Sequence, residues 1–165
     1  MTQRTYERIK NFSTEIAVEK TISEIEKILA MHGATGILKQ YDGKGRPISL
    51  AFKINTPNGP LSIMLPARVE RVKEVFKLQA SKKKLPGRYW GGDWAEEQAL
   101  RTGWRTIKDW LDAQLSLIEV EMVKIEEIFL PYVSVGKFGQ TLYEALEERK
   151  FDFSRMLPEN NEVVE

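Results

Sequence analysis

Leu100, Trp104, Ile107, Leu111, Leu115 and Ile118 recur every three or four residues along an otherwise polar stretch, and Trp110 widens the same stripe. A repeat of that period lines up apolar side chains on one face of a helix. So long a face has to be covered, by the rest of the chain or by a second copy. Ahead of it, Asp93-Trp94-Ala95-Glu96 has the spacing of a capping box and predicts a helix opening at Asp93. Gly103 inside the stripe costs about 1 kcal/mol relative to alanine, so close packing against another backbone is expected there.

Upstream the apolar period is two. Phe12, Thr14, Ile16 and Val18 alternate with polar or small residues and predict a leading strand. Three further strand segments lie around Ile37 to Tyr41, Ile48 to Ile54 and Leu61 to Leu65. They are separated by Asp42-Gly43-Lys44-Gly45 and Thr56-Pro57-Asn58-Gly59-Pro60, which are turn sequences. Between the first strand and the second, Thr21-Ile22-Ser23-Glu24 is another capping-box spacing; Ile22, Ile25, Ile28 and Leu29 follow at helical intervals and Gly33 ends them. After Pro66, the residues Val69, Val72, Val75 and Phe76 predict a second helix. The expected fold is α+β: an antiparallel sheet in the order β-α-β-β-β-α with two helices on one face, followed by a helical C-terminal half. That half holds a short helix over 124–130 ending before Pro131, and a last helix opened by Thr141-Leu142-Tyr143-Glu144. The expected divisions are a sheet domain over 1–80, a basic and glycine-rich linker over 81–92, a helical region over 93–151 and a mobile acidic tail over 152–165.

The chain has no cysteine, which excludes disulfides and thiolate metal sites, and His32 is its one histidine. That histidine stands at the end of a helix, where a cation suits the dipole, so it reads as a surface or capping residue. The first residues lack the apolar run of a signal peptide, and no segment approaches the roughly 20 apolar residues that span a bilayer. A cytoplasmic location without membrane attachment is expected.

Charge is unevenly spread. From Arg68 to Arg88 there are eight basic residues against Glu70 and Glu74, a net +6 in a chain whose formal net charge is +1. Tyr89, Trp90 and Trp94 follow around Gly91 and Gly92. Cations beside flat rings suit a nucleic-acid strand, the cations neutralising phosphates and the rings stacking on unpaired bases. Arg68, Arg71, Lys82, Lys83, Lys84, Arg88, Tyr89 and Trp90 are therefore the candidate nucleic-acid-binding residues. The plainer account is a solvated helix face and a soluble linker, with the rings sealing a junction. No RRM signature, zinc finger or helix-turn-helix is present. The α-β-β-β-α order is similar to that of double-stranded-RNA-binding domains, but Arg68 and Arg71 match only part of their basic second-helix start.

Other motifs carry less. Asp42-Gly43-Lys44 has the acid-any-lysine spacing of metal-dependent nucleases, yet Asp-Gly is also an ordinary hairpin pair and no acidic partner precedes it. Gly136 to Thr141 lacks the Walker spacing. No catalytic residue, metal ligand or cofactor is assigned. Trp104 and Trp110 are expected to be core or partner-facing, with a homodimer through the long helix if the sheet leaves it uncovered.

Three stretches resemble a family of small proteins of bacteriophages and integrated mobile elements. They are Glu19-Lys20-Thr21-Ile22-Ser23-Glu24-Ile25 through Leu50-Ala51-Phe52; Trp104 to Gln114 continuing to Phe129-Leu130-Pro131-Tyr132; and Gly139-Gln140-Thr141-Leu142-Tyr143. The resemblance implies a phage or mobile-element product acting inside a bacterial cell, and carries over no functional residue. Two roles are thus expected: a non-enzymatic accessory protein that binds nucleic acid, single-stranded DNA in particular, or a module that engages a host protein through an aromatic helical face.

Overall fold

The two glycine-containing turns reverse the chain where the alternation predicts. In the computed structural model, which describes residues 8–136 and 139–154, strands β1 (Ala34–Tyr41), β2 (Pro47–Thr56) and β3 (Gly59–Met64) pair antiparallel in the order β1-β2-β3. The Asp42 carboxylate holds the first turn, accepting from the backbone N–H groups of Lys44 (2.8 Å) and Arg46 (2.9 Å) and from Arg46 Nε (2.8 Å). With those contacts made, Asp42 is explained as a turn residue.

Leu50, Phe52 and Ile54 of β2 and Ile63 of β3, with Leu65 just beyond it, form the buried face of this sheet. It is covered by α1 (Val18–Met31), through Val18, Ile22, Ile25 and Leu29, and by α3 (Asp93–Glu119), through Leu100, Trp104, Ile107, Leu111 and Leu115. Phe129 of α4 (Ile125–Phe129) closes the cluster, edge-on to Phe52 and to Trp110. The fold is α+β as expected, but the second helix on the sheet is α3. Between them, α2 (Glu70–Ser81) fully buries only Phe76 and Gln79, and it packs in a separate cluster with Leu85, Tyr89 and Ala99. The longer, more apolar stripe of α3 outcompetes α2 for the sheet. Its aromatic face is consequently spent inside the chain.

The leading strand does not form. Phe12, Thr14 and Ile16 do turn inward while Ser13, Glu15 and Ala17 face water, so the alternation of burial is real. The partners are side chains and not another strand. Thr102 Oγ1 donates to Asn11 O (3.1 Å), Tyr89 Oη to Phe12 O (3.0 Å), and Gln98 Nε2 to both Phe12 O (2.9 Å) and Thr14 O (2.8 Å). The segment is a strap latched along α3, its backbone satisfied by polar side chains in place of a ladder.

Both expected capping boxes, at Thr21 and at Asp93, are absent. The helix α1 starts one turn early, with Thr21 N–H donating to Ala17 O (3.2 Å), which leaves Thr21 interior and its buried hydroxyl without a partner. Gly92, at φ +90°, holds the capping position of α3, and Asp93 supplies charge to its first turn. The last helix opens where expected and with a capping box: Thr141 Oγ1 accepts from Glu144 N (3.2 Å) and Glu144 Oε2 from Thr141 N (2.8 Å) at the start of α5 (Leu142–Glu148). A short hairpin, β4 (Ser134–Val135) with β5 (Gln140–Thr141), precedes it and extends the sheet through a Val133–Ile63 bridge.

At Gly103 the expected close approach exists. A methyl group there would meet Val69 Cγ1 at 2.7 Å and Val69 Cα at 3.5 Å. The 81–92 segment, expected as a linker, is packed: Leu85 and Tyr89 are buried. Residues of the expected acidic tail from Arg155 onward lie outside the described residues, as do Lys137 and Phe138 of the Gly136–Thr141 stretch.

Candidate nucleic-acid interface

The eight cations are spread over the approach to α2, the helix itself, its exit and the 3₁₀ turn beyond, and those on the helix cannot share one direction because successive residues rotate by about 100°. Arg71 turns to Glu74 on its own helix (3.1 Å) and Lys73 to Glu96 of α3 (3.1 Å). Arg68, ahead of α2, lies 3.7 Å from Glu144 of α5. Such exposed pairs stabilise by at most about 1 kcal/mol and are readily exchanged for phosphate, but they divide the field into pieces. Lys82, Lys83 and Lys84 follow the last residue of α2, where positive charge meets the negative end of the helix dipole. Their N–H groups donate back to Leu78, Ala80 and Gln79 carbonyls (3.1, 3.0 and 2.8 Å), with Lys83 at φ +57°.

The rings separate more sharply. Tyr89 is only 2% exposed: it lies edge-on to Phe76 and to Trp94, each at 4.9 Å, with its hydroxyl spent on the strap. It cannot stack on a base, and its assignment to the interface is corrected. Trp90, next in the chain, is 55% exposed, and the Lys77 ammonium sits 4.4 Å above its ring. Trp94, 37% exposed, carries the Arg88 guanidinium at 4.3 Å. Each open indole thus holds one cation.

Tyr89 forms a wall between two clefts. One, of about 250 Å³, is lined by Lys73, Lys77, Trp90, Gly91, Gly92 and Glu96. The other, of about 380 Å³, is lined by Ser13, Glu15, Arg88, Trp94, Gln98 and Arg101. Glu96 anchors the first: it receives Lys73 on one oxygen and Arg46 Nη1 (3.2 Å) on the other. The Lys73 bond and then the Arg46 bond hold its carboxyl below the usual carboxylate range. Asp42 is lowered too, first by the Arg46 backbone N–H and then by its side chain. These charges link the first cleft to the β1–β2 turn.

Of the eight candidate residues, Trp90 and Arg88 present exposed functional groups beside the clefts, Lys82 and Lys83 are exposed at the end of α2, and Lys84 is half-buried. Arg68 and Arg71 are drawn to carboxylates. Lys77, Trp94 and Arg101 were not among the candidates. Their signals were available: Lys73 and Lys77 are one helical turn apart, and Trp94, Gln98 and Arg101 follow i, i+4, i+7 on one face of α3. Among the described residues no group of three or more His, Asp or Glu side chains could hold a metal ion, and no helix is long and apolar enough to cross a membrane.

No protein family, curated protein or solved structure matches this chain.

Proposed function

We propose that this protein binds single-stranded nucleic acid at the Trp90 cleft, as a non-enzymatic accessory factor of phage or mobile-element origin. The observation that carries the reading is Trp90 itself, an indole more than half open to solvent with the Lys77 ammonium over its ring. An unpaired base that displaces the Lys77 ammonium from the ring stacks there with roughly 1–3 kcal/mol, and the displaced ammonium takes the adjoining phosphate. Lys82 and Lys83 are exposed past the end of the same helix, and Gly91 and Gly92 leave the cleft floor without side chains that would block a sugar. Tyr89 supports this surface from beneath.

Fluorescence anisotropy with labelled single- and double-stranded oligonucleotides at two salt concentrations tests it. Binding is expected to favour the single strand and to weaken as salt rises. Trp90→Ala lowers affinity roughly 5- to 150-fold, the equivalent of one lost stack, with the fold unchanged by circular dichroism. Reversing the charge at Lys82 and Lys83 flattens the salt dependence. Absence of binding at low salt, or indifference to Trp90→Ala, rejects the reading.

A second reading, a protein-interaction module, is favoured by a different place. The helices α1 and α3 run in the same direction and end together, with His32 Nε2 3.7 Å from Glu119 and His32 Nδ1 2.7 Å from Ile28 O. Met31, Val120 and Met122 are exposed there, and unbranched thioethers adapt to many apolar partners. A stoichiometric bacterial partner, retained after nuclease treatment and lost with Met122→Lys, would favour this reading over strand binding.

A further inference from the structure

Arg88 and Arg101 face one cleft from two elements, and both are held in place by groups that leave N–H bonds to spare. Arg88 lies on Trp94 at 4.3 Å, and Trp94 is in turn braced edge-on by Tyr89. Stacking fixes the plane of a guanidinium without consuming its donors. Among the described residues, Arg88 makes ring contacts and neither a hydrogen bond nor an ion pair. Arg101 is held by Gln98 Oε1, which accepts from its Nη1 at 3.1 Å, with Glu97 a distant 3.8 Å from Nη2. Gln98 is buried and donates to the strap carbonyls of Phe12 and Thr14, so its own carbonyl has one orientation to offer Arg101. Gln98 is a positioning residue.

The strap side of the same cleft carries Ser13 and Glu15. Glu15 forms no ion pair with either arginine among the described residues, although all three line about 380 Å³ of open space. Two cations and one carboxylate that face each other without contact leave room for a molecule between them. Space of this size fits a nucleotide or sugar phosphate and not a large cofactor.

We propose that this cleft is a phosphomonoester-binding site, with Arg88 and Arg101 holding the phosphate and Glu15 and Ser13 meeting a hydroxyl or amino group at the other end. A phosphomonoester carries close to two negative charges at neutral pH, which matches two guanidiniums better than a carboxylate does. The phosphate can come from a free nucleotide or from the 5′ end of a strand lying in the neighbouring Trp90 cleft. The site itself does not depend on strand binding.

Isothermal titration of the full chain with adenosine monophosphate, adenosine and inorganic phosphate tests it. Adenosine monophosphate and phosphate are expected to bind and adenosine is not. Arg88→Gln and Arg101→Gln each weaken the monophosphate at least tenfold, whereas Lys53→Gln, which removes a cation from the exposed side of β2, changes nothing. Glu15→Gln weakens the monophosphate but not inorganic phosphate. Should Arg101→Gln fail to fold, the exposed Arg88 still carries the test. Tighter binding of a 5′-phosphorylated than of a 5′-hydroxyl oligonucleotide assigns the phosphate to a strand end; monophosphate binding with equivalent strand ends assigns it to a free nucleotide. No binding of monophosphate or phosphate together with equivalent strand ends overturns the site, as does monophosphate affinity untouched by Arg88→Gln. Failure of strand binding alone looks different, because no 5′-hydroxyl oligonucleotide then binds while the monophosphate still does.

Discussion

Four tryptophans lie within twenty-one residues, and they divide into two pairs with opposite surroundings. Trp104 and Trp110 belong to the middle of α3. Trp104 is wholly buried under the sheet with its indole N–H on Pro47 O (3.1 Å), and Trp110 packs edge-on against Phe129 and Tyr132. Trp90 and Trp94, at and before the first turn of that helix, keep much of their surface open, each under a cation. One residue type thus serves two purposes: burial supplies stability where the ring is enclosed, and an open π-face is a binding resource where it is not. The comparison breaks most directly by truncation. Trp104→Ala removes the largest buried side chain and strands the Pro47 carbonyl, an expected loss of about 3–5 kcal/mol that chemical denaturation reads. Trp90→Ala should stay within about 0.5 kcal/mol of wild type. Equal losses at the two positions would mean that the open pair is structural after all.

Gly103 sharpens the same contrast at the step before Trp104. Alanine there improves helix propensity by about 1 kcal/mol, but its methyl group would stand 2.7 Å from Val69 Cγ1. Val69 is short, β-branched and attached to the start of α2, so it cannot swing aside. Overpacking of this kind costs roughly 1–3 kcal/mol, and Gly103→Ala is expected to be destabilising on balance. Val69→Ala in the same chain should recover part of the loss, which a double-mutant cycle measures as coupling. A stabilised Gly103→Ala would show that α2 and α3 are loosely docked, and that the Trp90 cleft between them is not a fixed shape.

How much of this was legible follows from what periodicity can encode. The stripe of α3, the three paired strands and the contact at Gly103 are local patterns with one economical solution, and each is present in the structure. Phe12 to Val18 shows where the rule gives way. Alternating burial requires only an extended segment with one side against something, and here that something is Thr102, Tyr89 and Gln98, far along the chain. The interface was less legible. Tyr89 and Trp90 are adjacent in a 3₁₀ turn, where no period says which ring turns inward; Phe76 and Trp94 decide it. Nor does any local pattern reveal that Arg46, fifty residues before Glu96, would share that carboxylate with Lys73.

Among the described residues, Thr21 carries the one buried side-chain polar atom without a hydrogen-bond partner. Its hydroxyl is buried with no hydrogen-bond partner, a loss of about 1–3 kcal/mol relative to a satisfied group. Thr21→Val keeps the shape and the β-branch while removing the unmet oxygen, so a gain of about 1 kcal/mol in urea unfolding is expected. A loss instead would mean that the hydroxyl finds a partner in solution. The open tryptophan pair should be insensitive to this change, leaving oligonucleotide affinity as in wild type.

The smallest effect is confined to one side of the comparison. Glu96, on the Trp90 cleft, is held below the usual carboxylate range by Lys73 and then Arg46, and Asp42, in the β1–β2 turn, by the backbone N–H and then the side chain of Arg46. A carboxyl lowered in the folded state contributes stability that is fully present above its unfolded pKa and is lost as pH falls through the folded one. Both contributions are therefore intact at neutral pH and fade only in acid, below the ordinary carboxylate range. As Glu96 takes up its proton, Lys73 is released and Arg46 keeps only its bond to Asp42, so the side of the cleft beside Trp90 loosens. Trp90 emission should shift in that window, and the shift should vanish in Trp90→Phe and be pre-empted by Glu96→Gln. Trp104, wholly buried with its indole N–H on Pro47 O, should report nothing until global unfolding. A simultaneous change at both tryptophans would tie the cleft to the core and erase the distinction between the two pairs.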